Sequence, residues 1–308
     1  MLLGRRLALL ASASGARALS TMGAAKRVGS NACFGGVWQR FTHDSRATKT
    51  PMTYSVFVPP GATAAAPAPC LFYLSGLTCT DENFVQKAGA ARAAAAHGVA
   101  LVAPDTSPRG AGVPGEDDAY DFGSGAGFYV DATAAPWSEH YNMYSYVTDE
   151  LVESLRGVPE VDVDTRSVTG HSMGGHGALT IAMKDPSAWK SVSAFSPICN
   201  PTKVPWGTKA FGGYLGSVDA GAAHDASELV REHGPFAFGD ILVSQGADDD
   251  FLVGDVDQLQ PEAFRAACDS VGQGLDLQYE AGYDHSYFFI STFIDQHIAF
   301  HSDRLHKK

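Results

Sequence analysis

Gly170-His171-Ser172-Met173-Gly174-Gly175-His176 fits the pattern G-x-S-x-G and stands between two unlike stretches. A short apolar run, 166–169, precedes it, and a compact helix-forming stretch, 177–184, follows until Asp185-Pro186 stops it. Strand, tight turn and helix in that order is the context of a nucleophile elbow, in which the turn lifts a serine hydroxyl to the top of a sheet. The flanking glycines allow a strained backbone and let neighbouring chain pass close. In a chain with 33 glycines the bare pattern also arises as a simple turn with a solvent-facing serine. The strand before it and the helix after it argue for the elbow at Ser172.

A serine hydroxyl is a poor nucleophile until a base takes its proton, and α/β-hydrolases supply the acid and the base later in the chain, in the order Ser, Asp/Glu, His. Both are found here in that order. The apolar run 241–244 ends in Gln245-Gly246-Ala247-Asp248-Asp249-Asp250-Phe251, a strand end carrying three carboxylates among which sequence alone does not choose. An alternating stretch, 275–279, leads into Gly282-Tyr283-Asp284-His285-Ser286-Tyr287, a loop that can present His285 to Ser172. Other histidines compete poorly. His43 and His97 precede the serine, and His171 and His176 sit on its own turn. His297 and His301 have the i, i+4 spacing of a metal pair, but with no glutamate between them and no third ligand nearby they read as a solvated face of a terminal helix.

Working outward, short apolar runs at 71–74 and 99–103 suit further buried strands of a parallel sheet. Helical stretches alternate with them: 87–97, stopped by Gly98; 147–156, acidic at its start and basic at its end; and 261–270, opened by Pro261. The Ala/Pro segment 61–69 reads as a surface loop between strands. The alternation predicts the α/β-hydrolase fold, a mostly parallel central sheet with helices on both faces, as a single catalytic domain over 29–308. Hydrophobic residues make up 45% of the chain, enough for a large core, but no stretch approaches the roughly 18 apolar residues of a membrane span. The net charge of −12, with no basic run, argues against nucleic-acid binding. Five scattered cysteines without C-x-x-C spacing suit a reducing compartment better than a disulfide framework, and Pro201 spoils the sequon-like Asn200-Pro201-Thr202.

That charge is unevenly spread. Residues 1–43 hold six basic residues and no acid, which leaves 16 − 34 = −18 for the rest. Residues 1–28 therefore read as a basic, acid-free leader of mitochondrial or plastid transit type, with too short an apolar core for a secretory signal. Initiation at Met22 would remove Arg5, Arg6 and Arg17, giving −15 and a cytoplasmic protein.

With these residues in place, the chain resembles the S-formylglutathione hydrolase (esterase D) family from about Ser30 to His301. The blocks that carry the resemblance include Cys33-Phe34-Gly35-Gly36, Leu74-Ser75-Gly76-Leu77-Thr78-Cys79-Thr80, Ala103-Pro104-Asp105-Thr106-Ser107-Pro108-Arg109-Gly110 and Gly125-Ala126-Gly127-Phe128-Tyr129-Val130-Asp131-Ala132. Pro136-Trp137, Met143-Tyr144-Ser145-Tyr146-Val147-Thr148, Ser196-Pro197-Ile198-Cys199-Asn200-Pro201 and the segment around His285 complete the series. The resemblance implies Ser172 as nucleophile, His285 as base and Asp249 as the orienting acid, although the third acid, Asp250, departs from the family pattern. It also implies an oxyanion hole made by the backbone N–H groups of Leu77 and Met173, and a position near the active site for Cys79.

The implied reaction is hydrolysis of S-formylglutathione to glutathione and formate, the hydrolytic step of glutathione-dependent formaldehyde detoxification, with no metal or organic cofactor and with a homodimer as the expected assembly. Arg109, Trp137, Lys203 and Trp206, on glycine- or proline-rich loops, are candidate contacts to the tripeptide. A broad short-chain carboxylesterase or an acyltransferase on the same fold is the competing enzyme, because triad chemistry does not fix the acyl acceptor. A non-catalytic scaffold fits poorly, since no triad member is missing. Gly110-Ala111-Gly112-Val113-Pro114-Gly115 satisfies the dinucleotide pattern G-x-G-x-x-G, but Pro114 and the acids after it would not open a phosphate-binding helix, so it reads as a loop.

Overall fold

The apolar runs expected as buried strands form the middle of one mixed sheet in the computed structural model, which describes residues 25–307. The strands are β1 Lys26–Cys33, β2 Gly36–Asp44, β3 Pro51–Val58, β4 Ala68–Leu74, β5 Ala100–Pro104, β6 Val161–Gly170, β7 Ser193–Phe195, β8 Ile241–Gly246 and β9 Leu275–Glu280. Their spatial order is β1-β2-β3-β5-β4-β6, continued by β7-β8-β9 through the bridges Val168–Val192 and His171–Phe195. From β5 to β9 all neighbours run parallel. β5, β7 and β8 are buried at every residue, because helices cover both faces of the parallel part.

The antiparallel edge, β1 to β3, was not among the runs read from the sequence. Its signal is local: Phe34 and Gly35 have φ of 47° and 77°, the pair of left-handed residues that a type I′ hairpin needs. β1 starts at Lys26, so residues 26–28, assigned above to the leader, belong to the sheet. Of the rest of that leader, residues 1–24 lie outside the described residues.

The helices differ from expectation in two places. The stretch 87–97 is helical only from Ala91: Lys87 ends a preceding helix, α1 Asp81–Lys87, the chain passes Gly89 at φ 69°, and α2 Ala91–His97 ends as expected at a left-handed Gly98. The stretch 147–156 becomes α3 Met143–Ser145, a π-helical turn Tyr146–Glu150 and α4 Leu151–Leu155. Glu150 there is buried and accepts hydrogen bonds from Ser45 Oγ, Arg46 N and Ala47 N.

The remaining helices are α5 Met173–Lys184, α6 Pro205–Tyr214, α7 Ala226–His233, α8 Asp250–Val253, α9 Pro261–Val271 and α10 Tyr287–Leu305. α1, α2 and α10 cover one face of the sheet, packing on Phe57, Tyr73, Leu101 and Phe195, while α5, α7 and α9 build the larger core on the other. α1 is held firmly. Thr80 and Asn83 form a capping box, Phe84 stacks on Tyr73 at 3.7 Å, and buried Asp81 takes both arms of the Arg40 guanidinium at 2.8 and 2.9 Å.

His297 and His301 correct the sequence reading. Both are fully buried on the sheet-facing side of α10 rather than solvated. His297 contacts Ser193 and Ser244 hydroxyls at 2.8 and 3.0 Å, and His301 contacts those of Ser191 and Ser193 at 2.7 Å each. The serines lie on or beside β7 and β8, so the sheet presents hydroxyls where the helix presents imidazoles, and each polar group is paired.

Candidate active site

Ser172 stands between the end of β6 and the first residue of α5 with φ 57° and ψ −119°, a backbone conformation that costs a non-glycine residue about 1–3 kcal/mol. The surrounding sheet imposes it. His171 N–H donates to Leu74 O at 3.0 Å, on β4, and Ser172 N–H to Phe195 O at 2.9 Å, on β7. The turn passes so close to β4 that a Cβ on Gly174 would lie 1.9 Å from Leu74 O, and one on Gly170 would lie 2.2 Å from Gly174 O. Glycine at these two positions is a requirement of space. The expected strand, turn and helix are therefore all present around the serine.

β8 and β9 deliver the other two groups. The turn after β8 crosses the loop after β9, with Asp248 N–H donating to Tyr283 O at 3.0 Å. The crossing brings His285 Nδ1 to Asp249 Oδ2 at 2.5 Å. Of the three consecutive aspartates, Asp248 and Asp250 are exposed and Asp249 is fully buried. Its second oxygen accepts the Phe251 N–H at 2.9 Å, capping α8, and Gln245 Nε2 lies 3.3 Å from Oδ2. Because Nδ1 donates to the carboxylate, Nε2 is the ring nitrogen left to act as a base. Phe251 packs edge-on against the imidazole at 4.8 Å, and the His171 ring lies tilted 4.4 Å from it. Burial pushes the His171 imidazole well below its ordinary range, with a smaller contribution from His285.

Ser172 and His285 open on a cavity of 360 Å³, near the lower end of the about 300–1,000 Å³ usual for ligand pockets. Its wall includes the loop from Gly76 to Cys79, which passes so near the serine that a Cβ on Gly76 would be 3.1 Å from Ser172 Cβ. Met173 is the first residue of α5, where N–H groups lack an acceptor within the helix, and Leu77 follows Gly76 on the approaching loop. The positive end of the α5 dipole adds to the field there.

The other expected contacts divide. Cys79 and Trp206 line the cavity, Trp206 packing at a tilt against Phe251 and donating from Nε1 to Tyr120 OH at 3.2 Å. Burial raises the Cys79 thiol, partly offset by a contact with Tyr287, so the group is poorly suited to thiolate chemistry. Arg109 does not line the cavity; it pairs with Asp105 and donates to Cys79 O at 3.0 Å, supporting the loop from behind. Trp137 is buried among Phe122, Tyr141 and Tyr214, and Lys203 borders a separate depression beside Asp219 and Glu228. Residues not singled out from sequence complete the wall, among them Asn83, Lys87, Tyr120 and Tyr287. Tyr287 lay within a quoted segment, and Lys87 and Asn83 sit on the helix that follows the Cys79 loop. The Gly110–Gly115 stretch is a loop, and its backbone N–H groups at Ala111 and Gly112 donate to Glu116, which fills the place a phosphate would need. No helix among the described residues is long and apolar enough to cross a membrane.

The chain is similar to known esterases over most of its length. Residues 45–300 match the esterase family described as "Putative esterase". The S-formylglutathione hydrolase of Rattus norvegicus is 50% identical over 282 residues, covering 91% of this chain and 98% of the rat protein. That of Paracoccus denitrificans (strain Pd 1222) is 49% identical over 280 residues, covering 90% and 97%. The solved S-formylglutathione hydrolase of Agrobacterium tumefaciens superposes with a TM-score of 0.86 at 45% identity, covering 91% of this chain and 99% of that one. With the elbow, the acid–imidazole pair and this similarity over nine-tenths of its length, the chain belongs to the S-formylglutathione hydrolase family of esterases.

Proposed function

We propose that this chain is a serine thioester hydrolase that cleaves S-formylglutathione to glutathione and formate, with Ser172 as nucleophile, His285 as general base and Asp249 as the carboxylate that orients it. The observation that carries the reading is the imidazole held at 2.5 Å by a buried carboxylate and facing the same 360 Å³ cavity as the elbow serine.

In the first half-reaction His285 Nε2 takes the Ser172 proton as Oγ attacks the formyl carbon, and the carbonyl π electrons move to oxygen. The oxyanion accepts from the Met173 and Leu77 N–H groups, where loss of one strong donor typically costs about 3–4 kcal/mol. The C–S bond then breaks and the sulfur takes the proton from His285. A thiol of ordinary pKa about 8.5 leaves far more easily than an alcohol. Water, deprotonated by His285, attacks the formyl-serine ester; collapse releases formate and returns the proton to Oγ. This scheme uses no metal or organic cofactor. The step belongs to glutathione-dependent disposal of formaldehyde.

Side-by-side turnover of S-formylglutathione by the wild type and Ser172→Ala tests the reading. Equal rates would end it. Relative kcat/KM for short aryl esters, and acyl transfer to sugars in place of water, separate the hydrolase from the carboxylesterase and acyltransferase alternatives.

Residues 1–28 as an optional basic leader, 29–308 as one catalytic domain with residues 26–28 joined to its sheet, and a homodimeric assembly complete the proposal. N-terminal sequencing of the native protein distinguishes a cytoplasmic product begun at Met22 from an organellar one. Sedimentation analysis measures the assembly.

A further inference from the structure

Beside the cavity at Ser172 lies a groove of 560 Å³ bordered by Ser286, Phe288 and Ser291, and two side chains, Lys87 and Tyr287, line both spaces. Among the described residues that line them, Lys87 is the only lysine or arginine, and no aspartate or glutamate is present. Its Nζ lies 5.7 Å from the ring centroid of Tyr287, the aromatic residue common to cavity and groove. The acids of its own helix are engaged elsewhere: Arg40 pairs with both Asp81 and Glu82. Lys87 is exposed at the last residue of α1, whose position is fixed by the Thr80–Asn83 cap and by Phe84 under Tyr73.

This placement has an electrostatic consequence. S-formylglutathione carries two carboxylates and one ammonium, so an anion must approach a chain with a net charge of −12. A lone cation at the mouth of a largely apolar cavity focuses the field toward the reacting serine, and a carboxylate can displace water from it. Resting on the thioesterase reading above, we infer that Lys87 is a specificity-determining residue that binds a carboxylate of the glutathione moiety, with the tripeptide lying along Tyr287 into the groove beside Phe288.

The test compares wild type with Lys87→Ala, Lys87→Arg and Lys87→Glu on S-formylglutathione and on the neutral ester 4-nitrophenyl acetate. Loss of Lys87 in the alanine variant should raise KM for S-formylglutathione about tenfold with little change in its kcat, and lower the kcat/KM ratio of thioester to aryl ester by a similar factor. The glutamate variant should fall further, the arginine variant should recover most of the ratio, and high salt should shrink the differences. Equal losses on both substrates, or an unchanged KM in the glutamate variant, would overturn the assignment. Failure of the wild type itself to turn over S-formylglutathione would instead sink the thioesterase reading, and the Lys87 assignment with it.

Discussion

His285 and Asp249 are 36 residues apart in sequence and meet at 2.5 Å because their loops leave adjacent parallel strands, β8 and β9, at the same end of the sheet. The carboxylate is entirely buried and the imidazole side chain 17% exposed, so the pair is anchored on its acid side while the ring reaches the cavity that Ser172 also lines.

Asp249→Asn keeps the volume and the oxygen that caps α8 through the Phe251 N–H, but an amide can turn a donor toward the ring and stabilise the wrong tautomer. The expected result is a fall in kcat of about 10⁴ with little change in melting temperature. Thioester turnover and circular dichroism check it; a loss below about tenfold would remove Asp249 from the triad.

Ser172→Ala and Cys79→Ala should part company. The first removes the nucleophile and should lower kcat/KM by about 10⁴ or more, leaving only what the oxyanion donors and binding supply. Cys79→Ala should keep activity within about tenfold of wild type, because the thiol is raised by burial and stands in the cavity wall. The same rise predicts slow alkylation by iodoacetamide at neutral pH, with protection when the cavity is filled. Rapid labelling at pH 7 would contradict it.

Buried neutral imidazoles make stability depend on pH. Burial lowers His176 and His297 to about 3 and pushes His171 and His301 well below the ordinary value of about 6.5. Below about pH 6.5 the unfolded chain takes up these protons and the folded chain does not. Stability is therefore complete above that pH and falls as pH drops toward 3, by up to about 1.4 kcal/mol per pH unit for each such histidine. Urea midpoints at pH 7 and 5 measure the slope. His297→Gln should flatten it by about one histidine's share, whatever its absolute stability, and an unchanged slope would refute the attribution.

Two glycine substitutions should act with opposite sign. Gly174→Ala places a Cβ 1.9 Å from Leu74 O and should cost more than about 3 kcal/mol while collapsing activity. Gly212→Ala, on the exposed side of α6 with nothing within 4 Å, should stabilise by about 0.5–1 kcal/mol. Thermal unfolding of both variants reads the two signs.

What sequence reading could reach was set by how local the signal is. The elbow is contiguous, from Gly170 to Gly174, and its meaning follows from backbone sterics and the elements on either side. His285 was accessible because chain order restricts the candidates. The aspartates differed: Asp248, Asp249 and Asp250 share one composition, and only the crossing of two loops turns Asp249 inward. His297 and His301 were misread because nothing in α10 reveals that Ser191, Ser193 and Ser244 wait on the sheet to pair with them. The cavity wall is assembled from separate segments around Leu77, Lys87, Tyr120, Trp206 and Phe251, which is why aromatic or basic residues on glycine-rich loops were a poor guide, and why Trp137 and Lys203 lie elsewhere.

The serine turn is suspended from two strands at once, by His171 N–H on Leu74 O and Ser172 N–H on Phe195 O. Its strained dihedral angles persist only while both suspension points stay in register, so the reacting oxygen has no geometry of its own apart from that of the sheet centre. Turnover then becomes a gauge of the whole domain: as temperature or denaturant rises, catalysis and strand structure should vanish along one curve, and no loosened yet working species should intervene.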